Sequence, residues 1–205
     1  MDGIELPASG EKIKLLALGD SYTIGESVGE NERWPVQLMQ SLREKGWQVA
    51  DPKIIATTGW RTDELKNAVL KEDLQLNSDF NLISLLIGVN NQYQGKSVES
   101  YKPEFEELLQ IAITLSGNNT KRVFVLSIPD YGFTPFGKEK QQVISQAIDQ
   151  FNNANHEITA KYGVNYIDIT PFTRDSDPAL LASDALHPAG KMYGIWVREI
   201  LRRMK

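Results

Sequence analysis

The feature that most limits what this chain can fold into is a repeated change of hydrophobic period. Short, nearly continuous apolar runs alternate with longer stretches whose apolar residues recur every three to four positions. The runs at Ile13–Leu18, Gln48–Ala56, Phe80–Gly88, Arg122–Ile128 and Val164–Ile169 predict strands. The patterns at Trp34–Lys45, Thr62–Leu74, Val98–Leu115 and Lys138–Lys161 predict helices, and a last helix follows Pro188. A run such as "FNLISLLIG" is apolar through most of its length, which suits a strand covered on both faces. Strand–helix alternation of this kind predicts a parallel sheet with right-handed crossovers, here an α/β fold: a three-layer α/β/α sandwich around a five-stranded parallel sheet. No repeat, low-complexity tract or linker interrupts the 205 residues, so one domain over residues 1–205 is expected, with residues 1–11 as a poorly ordered extension.

Open parallel sheets bind ligands beyond the carboxyl ends of their strands. The predicted ends are Gly19-Asp20-Ser21, Thr57-Thr58-Gly59, Gly88-Val89-Asn90-Asn91 and Pro129-Asp130-Tyr131, where small and polar residues collect. Composition narrows what they can do. A net charge of −5 argues against nucleic acid, whose phosphates need clustered Lys and Arg. The absence of cysteine excludes disulfides, thiolate metal sites and a cysteine nucleophile. No run approaches the ~18 apolar residues of a membrane span. "MDGIELPASGEK" is not a secretory leader, so the sequence as written points to the cytoplasm, or to a secreted or periplasmic protein where a signal has been removed.

A serine at a strand-to-helix turn presents its hydroxyl and its own N–H to the same space, but it becomes a nucleophile only with a general base and donors for the oxyanion. On Gly-Asp-Ser alone, a capping role for Ser21 is the simpler reading. There are two histidines. His156 lies within the long fourth helical pattern, where a structural role is expected. His187 lies in a loop just before the Pro that opens the last helix, where a cation is disfavoured. Asp184, three residues earlier, is near enough along one turn to reach the imidazole. A capped turn explains that pair equally well. The order Ser21, Asp184, His187 is that of α/β-hydrolases, but Thr23 stands where Gly-x-Ser-x-Gly needs glycine, and the Asp–His spacing is too tight for two separate loops.

Four blocks in order resemble the SGNH hydrolases, the GDSL family of esterases and lipases: "GDSYT" with Ser21, Gly59 after the second strand, "GVNN" with Asn90, and "DALH" with Asp184 and His187. They run from residue 19 to 187 on a flavodoxin-like alternation. The resemblance implies Ser21 as nucleophile and His187 as base, with Asp184 as the third catalytic residue. It also implies an oxyanion hole from the Ser21 and Gly59 N–H groups and the Asn90 amide. No metal and no organic cofactor are implied. One position departs: the third block of the family usually ends in aspartate, and Asn91 stands there. Asp20 fits a structural role at its turn.

The implied reaction is hydrolysis of a small-molecule ester through an acyl-enzyme. Tyr22, Trp60, Tyr93 and Tyr131, with Phe133 and Phe136, are candidate pocket residues, each as readily explained by packing. No long apolar lid is apparent, so a short acyl group such as acetyl is expected. A second reading is a noncatalytic small-molecule binding module on the same fold. Its phosphate-binding form lacks both G-x-G-x-x-G and G-x-x-x-x-G-K-[ST]. A metal-dependent hydrolase has a poor ligand set in two distant histidines and no cysteine.

Overall fold

Leu15, Leu16, Ala17 and Leu18 are all fully buried, and so are the residues of the run from Leu82 to Leu86. These runs form the middle of one sheet whose strands are β1 (Leu15–Gly19), β2 (Lys53–Ala56), β3 (Leu82–Leu86), β4 (Val123–Leu126) and β5 (Asn165–Ile167). Every pairing is parallel, and the spatial order is β2-β1-β3-β4-β5. The computed structural model describes all residues except 1, 2, 9, 73, 75–78 and 176.

Five long helices cover the sheet: α2 (Trp34–Glu44), α3 (Thr62–Lys71), α5 (Val98–Leu115), α6 (Gln141–Lys161) and α8 (Gly190–Arg203). The α2 and α8 helices pack on each other, and α5 packs on both α3 and α6, so each set covers one face. This is the expected three-layer sandwich. Each helix buries one stripe, such as Trp34, Leu38, Met39 and Leu42 on α2, or Met192, Tyr193, Trp196 and Ile200 on α8. Burying each large apolar side chain contributes about 1.5–3 kcal/mol, so packing rather than helix propensity holds these elements.

Three single-turn helices, too short for their period to show in sequence, follow strands directly: α1 (Ser21–Ile24) after β1, α4 (Val89–Tyr93) after β3 and α7 (Thr170–Thr173) after β5. The strand expected over Gln48–Ala56 is split. Val49 makes only an isolated bridge to Ile13, and Pro52, which has no N–H for a ladder, precedes the resumption at Lys53. The helix expected to reach Leu74 ends at Lys71, and residue 73 lies outside the described residues. Lys138–Lys140 is a tighter 3₁₀ turn leading into α6. The expectation of a loose extension over residues 1–11 does not hold for Ile4. It is fully buried, donates to Arg203 O at 2.6 Å and accepts from Lys205 N at 2.9 Å.

In this strand order the chain reverses its direction of travel between β1 and β3, which opens a crevice beyond their carboxyl ends. There α1 and α4 begin side by side, carrying Ser21 and Asn90.

Candidate active site

The turn that carries Ser21 is set by its neighbours. A Cβ at Gly19 would sit 2.2 Å from Thr23 Oγ1 and 2.7 Å from Leu86 O, so only glycine lets the chain fold back this tightly beside β3. Asp20 caps α1, its Oδ1 accepting from Tyr22 N at 3.0 Å. The side chain is fully buried and Oδ2 has no partner. Burial pushes the carboxyl up to about 7, against the pull of the backbone hydrogen bonds. The Ser21 N–H, first in the helix, has no acceptor within its own helix, and Ser21 lines the crevice.

Gly59 and Asn90 reach the same crevice. Gly59 has φ +86°, a left-handed conformation that favours glycine, and the hydrogen bond of its turn runs from Trp60 N to Thr57 O, leaving the Gly59 amide unused by it. Asn90 is aimed by the turn at Gly88, where φ is +130° and a Cβ would meet Tyr101 Oη at 2.6 Å. The Asn90 side chain donates one hydrogen to Trp60 O at 2.9 Å and keeps a second free.

His187 is anchored by its own loop. Asp184 Oδ1 accepts from the N–H groups of Leu186 and His187, each at 2.9 Å, and Asp184 Oδ2 lies 2.7 Å from His187 Nδ1. Ser27 donates to the same Oδ2 at 2.6 Å. Partial burial of Asp184 opposes ionisation, but the hydrogen bonds from Ser27, His187 and the backbone amides outweigh it and hold the carboxyl well below its usual range. An ionised carboxylate only accepts, so Nδ1 carries a hydrogen, and in the neutral ring Nε2 is the lone-pair nitrogen. Tyr22 packs against the imidazole with ring centres 5.5 Å apart.

Ser21, Tyr22, Gly59, Asn90, Tyr93, Tyr131 and His187 line a single cavity of about 210 Å³, together with Thr58, Val89, Phe136 and Leu186. Asp184 stands behind His187. The Trp60 side chain does not join the cavity: it lines a separate surface groove with Glu64 and Asn67, and only its carbonyl touches the site through Asn90. Phe133 lines an adjoining crevice. His156 lies in another groove, edge-on to Tyr166. The loop bearing Tyr131 is held by Asp130, which accepts from Gly132 N and from Arg174 Nε, both at 2.9 Å. Among the described residues no cluster of three or more His, Asp or Glu is placed to hold a metal, and no helix is long and apolar enough to cross a membrane.

Sequence reasoning gave no role to Ser27 or Leu186, and placed Thr58 and Val89 only at strand ends without assigning them to a pocket. Ser27 has φ +63° and is 157 residues from its partner, so nothing local in "GES" announced it. Leu186 and Val89 were legible only as neighbours of His187 and Asn90.

A GDSL-like lipase/acylhydrolase family model matches residues 17–195, a span that includes every member of the cavity. No curated protein matches the chain. Solved structures with a similar fold include the lipase Lip_vut3 from a goat rumen metagenome, at 18% identity and TM-score 0.76 over 93% of this chain and 97% of that one. A lipase/acylhydrolase from Enterococcus faecalis aligns at 19% identity and TM-score 0.70 over 93% and 94%. The acetyl xylan esterase Axe2 from Geobacillus stearothermophilus aligns at 19% identity and TM-score 0.69 over 95% and 94%. With the family model running along most of its length, and its own strand ends bearing the matching blocks, the chain belongs to the GDSL-like lipase/acylhydrolase family.

Proposed function

We propose that this chain is a serine esterase that hydrolyses carboxylic esters of short acyl groups, acetyl foremost, through an acyl-enzyme on Ser21. The observation that carries the reading is the convergence of Ser21, His187, Gly59 and Asn90 on one cavity, with the imidazole held through Nδ1 by Asp184.

In this mechanism His187 Nε2 takes the Ser21 proton as Oγ attacks the ester carbonyl, and Asp184 stabilises the imidazolium that forms. The tetrahedral oxyanion receives the N–H of Ser21, the N–H of Gly59 and the free hydrogen of the Asn90 amide. Collapse breaks the bond to the alcohol oxygen, which leaves with the proton from His187. Water, deprotonated by the same nitrogen, then releases the acid and restores Ser21.

The cavity supports the short acyl group. About 210 Å³ is below the ~300–1,000 Å³ of pockets for drug-sized ligands, and its walls at Val89, Tyr93, Tyr131, Phe136 and Leu186 are largely apolar. A panel of p-nitrophenyl esters from acetyl to dodecanoyl tests the reading: kcat/KM is expected to peak at the short end. Ser21→Ala is expected to remove turnover and labelling by a fluorophosphonate. Near wild-type turnover in Ser21→Ala, or a silent Ser21 toward the fluorophosphonate, overturns it.

A further inference from the structure

Next to the Asn90 amide runs a second chain of hydrogen bonds that the reaction above does not use. Asn91 is 1% exposed and Thr62 fully buried. Asn91 Oδ1 accepts from Thr62 N at 3.2 Å, Asn91 Nδ2 donates to Thr62 Oγ1 at 2.7 Å, and Thr62 Oγ1 donates to Glu104 Oε2 on α5. The direction of this chain is fixed. A backbone N–H can only donate, so Oδ1 must face it and Nδ2 must face the hydroxyl. The hydroxyl has one hydrogen, and a carboxylate that only accepts takes it.

Asn90 and Asn91 thus clip consecutive positions of α4 onto residues 60 and 62, one and three residues beyond Gly59. The two donors assigned to the oxyanion, Gly59 N–H and Asn90 Nδ2, sit on the two segments joined by this clip. We propose that Asn91 and Glu104 are a matched pair of positioning residues: Glu104 orients the Thr62 hydroxyl so that position 91 must donate, and the clip so formed keeps Asn90 in register with Gly59. This rests on the oxyanion role given to Asn90 above.

The match has a chemical signature. In Asn91→Asp, two carboxylates face a hydroxyl that has one hydrogen, and one oxygen–oxygen contact is left without a proton. When Asn91→Asp is combined with Glu104→Gln the chain reverses: the new amide at position 104 donates to Thr62 Oγ1, which donates to the new carboxylate at position 91. In Glu104→Gln alone the original direction survives, since the amide oxygen at position 104 accepts.

The experiment compares Asn91→Asp, Glu104→Gln and the double variant in the full chain, reading kcat and KM for p-nitrophenyl acetate and the thermal midpoint. Asn91→Asp is expected to lower kcat about 10-fold with KM within about twofold, since a displaced oxyanion donor acts on the transition state. Glu104→Gln is expected to cost less than Asn91→Asp, and the double variant to recover most of kcat and of the midpoint. A double variant as slow or as unstable as Asn91→Asp, or one that fails to fold, overturns the proposal, as does an Asn91→Asp enzyme with wild-type kcat and midpoint. An Asn90→Ala control separates the two readings. If it leaves kcat unchanged, the oxyanion role fails on its own account, and the link from Asn91 to catalysis fails with it. The matched pair is then judged by rescue of the midpoint in the double variant.

Discussion

Ser27 Oγ donates to Asp184 Oδ2 at 2.6 Å, joining the loop after α1 to the loop that carries His187. The same oxygen lies 2.7 Å from His187 Nδ1, so one carboxylate atom holds both the ring and the loop facing it. Removing the hydroxyl leaves the ring bond and the two backbone bonds to Oδ1 in place but takes away one of the two partners of Oδ2 and the tie between the two loops. Ser27→Ala is therefore expected to lower kcat several-fold with little change in KM. Ser27→Gly keeps the left-handed backbone of this position at less conformational strain than Ala, so it separates the hydroxyl from the backbone. Steady-state kinetics on p-nitrophenyl acetate decide between them.

In the proposed mechanism Asp184 fixes the tautomer of the ring. Asparagine at that position offers an amide where the ring hydrogen needs an acceptor, and it is expected to reduce kcat roughly 10³- to 10⁴-fold without unfolding the protein. A reduction under about tenfold would place the orienting role elsewhere.

Asn90 contributes one of three donors to the proposed oxyanion. Asn90→Ala is expected to lower kcat by roughly 10²–10³, with a smaller effect on KM. Binding of a phosphonate transition-state mimic should weaken in parallel, and a variant that binds the mimic as well as the wild type does would contradict the role.

The pH dependence has two separable parts. The hydrogen bonds on Asp184 keep it ionised to well below the usual carboxylate range, so protonation of this carboxylate should add nothing to the fall of turnover toward mild acid. Asp20 acts on stability with the opposite sense. Its folded carboxyl is raised by burial from 3.8 to about 7, so the unfolded chain gives up this proton first. Stability is fullest below the unfolded value and is lost as pH rises through the folded one. Between about pH 5 and pH 8 the wild type is expected to lose roughly 2 kcal/mol relative to Asp20→Asn, which has no proton to release. Urea unfolding at the two pH values checks it, and parallel curves for the two proteins would refute it.

Gly19→Ala tests the fold beneath the site. The added methyl meets Thr23 and the Leu86 carbonyl, neither of which can withdraw without disturbing α1 or β3. A loss of about 3 kcal/mol is expected, read as a lowered unfolding midpoint.

Much of the architecture could be read before any coordinates. The runs around Leu16 and Leu85 are apolar at nearly every position, which only a sheet covered on both faces satisfies, and all five strands and all five long helices lie where the period placed them. The boundaries were less legible. Pro52 cut one expected strand by removing a donor, and α1, α4 and α7 are too short for an apolar stripe to show. Ile4 is held by Arg203 and Lys205, partners at the far end of the chain.

The layered fold and the residues at the strand ends were written in the order of residues alone, because hydrophobic period, glycine and turn chemistry act over a few neighbouring positions. So was the Asp184–His187 pair, whose members share one turn. Which strand ends meet was settled by the folded arrangement of the sheet. Folding brought Ser21, Gly59 and Asn90 around His187, kept the Trp60 side chain out of the cavity, and supplied Ser27 to Asp184 and Glu104 to Thr62. Those contacts span from tens of residues to more than a hundred, and a side chain's partner at that range depends on strand order and helix packing, which local preferences do not encode.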